Sequence, residues 1–155
     1  MTDDSSPFGV VQHSLEELGE APSFGAFRLA LEMPFQAALE PNNVVGWLRR
    51  ELQELAADAA THPGSVSGNP AAIWSGPTGR LSLNYVTQTS RALNSYAFHQ
   101  ALGLLNGELE VRKYEHVRRT DPAMLTRDDC LRPNEDQMLS VGDTLWVEAG
   151  HEVIE

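Results

Sequence analysis

Five histidines, one cysteine and a set of carboxylates are the side chains of this chain that could bind a metal, carry a proton or attack a substrate. His99, His116 and His151 fall in strand-like segments, whereas His13 lies near the N-terminus and His62 at the end of a helical stretch. Cys130 follows Asp128 and Asp129, and acidic neighbours hold a thiol protonated rather than reactive. A lone cysteine closes no intramolecular disulfide, a usage that fits a reducing, cytoplasmic compartment. No Gly-x-Ser-x-Gly turn presents a nucleophile, and the run Gly76 to Gly79 lacks the Lys-Ser/Thr of a phosphate loop, so it reads as a hairpin turn. Asp121, Asp128-Asp129 and Asn134-Glu135-Asp136 lack the spacing of a calcium loop and read as solvated loop. Arg112, Lys113, His116, Arg118 and Arg119 form a basic cluster expected to pair with that acidic stretch, the alternative being that it receives a carboxylate ligand. No catalytic residue is assigned.

Helices must come first along the chain, then strands. Residues 1–12 read as a flexible arm. Ser14, with Glu17 three positions on, predicts a capping box and a short helix. Phe24 to Leu31 continues in helical rhythm, and a longer helix follows Pro41, with Val44, Trp47, Leu48, Leu52 and Leu55 on one face. This helical segment, 13–68, ends in the breaker-rich run Pro63 to Pro70. From 69 to 155 the apolar period becomes that of strands, punctuated by Asn106-Gly107 and Gly142-Asp143. Helices in one block before strands in another predict an α+β domain, compact as a whole.

Lys and Arg number 11 against 22 Asp and Glu, a formal charge of −11. Such a surface repels phosphate backbones and anionic lipid, so no nucleic acid and no membrane is expected as a partner.

GRLSL at Gly79–Leu83, LLNGELEVRKYE at Leu104–Glu115 and GDTLWVEAGHEV at Gly142–Val153 resemble the signature regions of the cupin superfamily, and within it the bacterial thiol dioxygenases of the cysteine dioxygenase type. The resemblance implies N-terminal helices packed on a cupin-like double-stranded β-helix, an antiparallel β-barrel. It also implies an iron held by two histidines, a glutamate and a last histidine. Here those positions fall on Leu93, Ser95, Gln100 and His151. One imidazole holds no divalent metal, so no metal and no cofactor is expected. The substrate-clamping arginine of that family also lacks a counterpart, since no arginine stands between Arg50 and Arg80.

The expectation is a thiol-dioxygenase-related binding module for a small molecule or a protein partner, with Tyr85, Ser95, Gln100, Trp146 and His151 lining its pocket. The alternative is an iron-dependent oxygenase acting on a small thiol or acid, with His99, His116 and His151 converging on the metal. A third reading is a structural subunit: the apolar strand at the C-terminal end needs covering, and a homodimer or larger oligomer would cover it.

Overall fold

The computed structural model describes residues 7–61, 72–83, 93–118 and 129–155. Over these residues it is an α+β protein, with three helices followed by antiparallel sheets. None of the described sheets closes into a barrel. Among the described residues no helix is long and apolar enough to cross a membrane.

Two compact units divide the chain, and the division falls elsewhere than at residue 69. The first holds α1 (Pro7–Leu18), α2 (Phe24–Ala38) from Ala30 onward, α3 (Pro41–Thr61) and the hairpin β1 (Ala72–Gly76) with β2 (Gly79–Ser82). Residues 7–12, expected to be a loose arm, are instead the first turns of α1. Pro7 suits a first helical turn, where its missing N–H has no partner to lose, and Phe8, Val11 and Leu15 at helical spacing are buried. Ser14 therefore lies inside the helix, and Glu17 reaches back to His13 at 3.3 Å. Capping occurs instead at Ser23, whose Oγ accepts the Ala26 N–H at 3.2 Å at the head of α2. Gly19, with φ +68°, closes α1 in the left-handed conformation. α2 runs on through Pro34, since burying Phe35 and Ala38 offsets one missing hydrogen bond. The side-chain amide of Asn43 donates to the Ala37 carbonyl at 2.8 Å and ties the start of α3 to the end of α2. On α3, Val44 and Trp47 are buried as the stripe predicts, but Leu48 is 36% exposed. The run Gly76 to Gly79 is a hairpin turn, as expected, with Gly76 opposite Gly79.

The second unit joins residues 23–29, the first turns of α2, to the remaining six strands. These are β3 (Asn94–Ser95), β4 (Gln100–Gly103), β5 (Leu109–Arg118), β6 (Cys130–Leu139), β7 (Thr144–Val147) and β8 (Glu152–Ile154). Their pairing is nested: β5 with β6, β4 with β7, β3 with β8, with β5 also bonded to β8. One sheet has the order β3-β8-β5-β6, and β4 and β7 make a second. The final strand is therefore no open edge. β8 lies between β3 and β5, a placement that local pattern cannot reveal because it depends on how the chain folds back. Among the described residues β6 is the long edge of the larger sheet, and Asn134, Glu135 and Asp136 belong to that strand rather than to a loop. Pro133 and the exposed Arg132, Glu135 and Asp136 are the proline and charges that discourage edge pairing. Between β6 and β7, Ser140 to Asp143 form a tight turn in which Gly142 takes φ +90°, and Oδ2 of Asp143 accepts the Ser140 N–H at 2.7 Å. Val111, Leu139, Leu145, Val147 and Ile154 form the core, with Tyr96, Leu102, Leu104 and Leu109 packed against it.

Candidate functional site

Alternation along β4 and β7 sorts the candidate residues onto two faces. Gln100 stands opposite Val147 and Leu102 opposite Leu145, so Gln100 lies on the core-facing side of β4. Ala101 stands opposite Trp146 on the other side. There Trp146 is buried by the start of α2: the ring of Phe27 meets it edge-on at 5.8 Å and meets the ring of His99 at 5.6 Å. Phe24 packs on His99 from 5.4 Å. Nδ1 of His99 accepts the Ala149 N–H at 3.0 Å, which places the proton of the neutral ring on Nε2.

Between β7 and β8 the chain turns at Glu148–His151, and several bonds hold it. Gly150, with φ +72°, donates its N–H to the Tyr96 carbonyl at 3.2 Å. Glu152 accepts the Glu148 N–H through Oε2 at 2.6 Å and the Lys113 ammonium through Oε1 at 2.7 Å. Lys113 also donates to the Trp146 carbonyl at 3.1 Å, so one cation joins β5, β7 and β8. His151 is exposed in this turn, and its carbonyl accepts the His116 N–H at 3.0 Å. The residue of β8 that turns inward is Val153, fully buried two positions on.

The expected pocket is thus not assembled as one lining. Gln100 and Trp146 occupy opposite faces of their sheet, and His151 is at the surface. The backbone of Ser95 pairs with Val153, and Tyr85 lies outside the described residues. Leu93, one of the positions where the resemblance implies a metal ligand, is 42% exposed. Among the described residues no three or more His, Cys, Asp or Glu gather as a metal-holding group, so His99, His116 and His151 are not brought together. Cys130 is exposed at the start of β6.

Arg112 and Lys113 of the basic cluster pair with carboxylates beside them in the sheet. Arg112 binds Glu110 at 3.2 Å and approaches Glu155 at 3.8 Å, while Lys113 binds Glu152. His116 and Arg118 belong to β5, and Arg119 lies outside the described residues. The Tyr114 hydroxyl donates to Glu155 at 3.1 Å, and this bond raises its pKa from the ordinary tyrosine value. Burial raises that of Tyr96. Sequence reasoning missed Lys113 with Glu152, which meet only through strand pairing. It also missed Phe24 and Phe27, whose three-residue spacing on a helix does mark them as one face. In the first unit, Val45, Leu48, Arg49, Gln53 and Ala56 line a shallow, apolar depression of about 420 Å³ along α3. Comparison with models of protein families, with curated proteins and with solved structures finds no match to this chain.

Proposed function

We propose that the second unit is a cupin-like fold related to the thiol dioxygenases, and that it binds a small molecule or a protein partner without turning it over. The nested pairing supports the fold: a long hairpin with β5 opposite β6, β4 opposite β7 and β3 opposite β8 becomes a double-stranded β-helix when it is wound so that successive pairs alternate between sheets. The cross-pairing of β5 with β8 is the contact such winding makes. One observation carries the binding reading over the enzymatic one. The positions where the resemblance calls for ligands are scattered, with Leu93 at the surface, Gln100 on the apolar core side and His151 in an exposed turn. Iron chemistry needs at least three such groups converging. Leu102 and Leu104 pack against the core that includes Leu145 and Val147, so the core side of β4 is apolar around Gln100.

Elemental analysis of protein purified without a metal-chelating tag, together with oxygen uptake on a panel of small thiols, tests the proposal. The expected result is no stoichiometric metal and no uptake. Near-stoichiometric iron with thiol-dependent oxygen consumption would overturn it in favour of the oxygenase.

A further inference from the structure

We infer that His99 is a pH-sensitive latch on the Glu148–His151 turn, closed while the imidazole is neutral and open once it is protonated. The inference is independent of the binding reading, because it rests on one hydrogen bond and its surroundings. Nδ1 of His99 accepts the Ala149 N–H at 3.0 Å, a bond between residues fifty positions apart. A neutral ring in that bond carries its only proton on Nε2. A second proton has one place to go, Nδ1, where it meets the Ala149 N–H head-on. Two donors cannot share a bond, so protonation and the latch exclude each other. Histidine is the side chain whose charge ordinarily changes between about pH 5 and 8.

The surroundings decide which side gives way. The rings of Phe24 and Phe27 pack on the imidazole at 5.4 and 5.6 Å, tilted by 51° and 41°, and hold it in place. The Ala149 N–H faces Nδ1, and it is what loses its partner. Among the described residues, the titratable and charged groups on the neighbouring elements are Glu148, His151 and Glu152 of the turn and β8, Lys113, Tyr114, Glu115 and His116 of β5, Tyr96 ahead of β4, and Arg28 on α2. His116 bonds to the turn through its backbone N–H, so His116→Gln is a control that should leave the step in place. Lys113 and Glu152 are already committed to each other at 2.7 Å. The turn keeps the Gly150 N–H bond to Tyr96 and the Glu152 bond to the Glu148 N–H, so it loosens around Ala149 rather than unfolding.

Nuclear magnetic resonance of the full chain from pH 8 to pH 5 tests this directly. Long-range imidazole nitrogen spectra are expected to show the Nε2–H form of His99 at high pH. Hydrogen exchange of the Ala149 amide, corrected for the intrinsic pH dependence of exchange, is expected to quicken about tenfold in step with His99 protonation, the factor carried by one ordinary hydrogen bond. His99→Gln retains an acceptor without titrating and should abolish the step, whereas His116→Gln, His151→Gln and Glu148→Gln should leave it. A His99 ring protonated on Nδ1 at pH 8 would overturn the latch. So would a ring that stays neutral until the sheet unfolds, an Ala149 exchange rate flat across the His99 titration, or a step surviving in His99→Gln.

Discussion

The ammonium of Lys113 lies 2.7 Å from Oε1 of Glu152, and the two side chains are only 11% and 13% exposed. Removing one partner of such a pair strands the other charge away from water, a larger loss than the attraction itself. Lys113→Ala is expected to cost about 3 kcal/mol, a fall in Tm of roughly 10 °C for a chain of this length. Lys113→Met combined with Glu152→Leu should recover part of it. An unchanged Tm in the single variant would mean that the pair holds nothing.

Gly76 admits no side chain. A Cβ there would overlap Cζ2 of Trp74 and stand 2.9 Å from Cη2, because the indole folds over the hairpin end. Gly76→Ala is expected to displace the indole, shift its fluorescence and cost about 2 kcal/mol by overpacking. Unaltered emission and stability would show that the ring does not sit there.

Trp47 and Leu48 are neighbours in sequence with opposite fates. Trp47 is buried against Phe8, ring to ring at 5.4 Å, while Leu48 borders the depression on α3. Trp47→Ala should cost about 3–5 kcal/mol, and Leu48→Ala about 1 kcal/mol or less. Thermal melts of the two variants check the contrast; equal losses would place Leu48 in the core as well.

Tyr114 gives a prediction in alkali. Its hydrogen bond to Glu155, followed by burial, raises its folded-state pKa. The raised value favours the neutral phenol in the folded state, so the stability it adds is present below the ordinary tyrosine pKa and is lost as pH rises through the folded one. Absorbance at the phenolate band should show Tyr114 ionising late, and Glu155→Gln should bring it earlier while leaving Tyr96 in place. A Tyr114 midpoint indifferent to Glu155→Gln would contradict the bond.

Local periodicity made the elements legible. Helices before strands, the face bearing Val44 and Trp47, the hairpin turn at Gly76–Gly79 and the glycine turn at Gly142 all follow from neighbours within a few residues, because helical and strand repeats and left-handed glycines act at that range. Ser14 and Glu17 match a cap pattern as well inside a helix as at its end, so they do not mark the start of α1.

Strand alternation also puts the neighbours Gln100 and Ala101 on opposite faces. Which face would be covered, and by what, was not legible. Phe27 closes over Trp146 from more than a hundred residues away, β8 slots between β3 and β5, and Lys113 finds Glu152 across two strands. Those relationships depend on loop closure and sheet order, which local spacing does not encode, because a strand's hydrogen-bonding edges accept any partner of compatible register. The sequence thus determined the segments and the faces they present, and only the tertiary structure decided which faces meet.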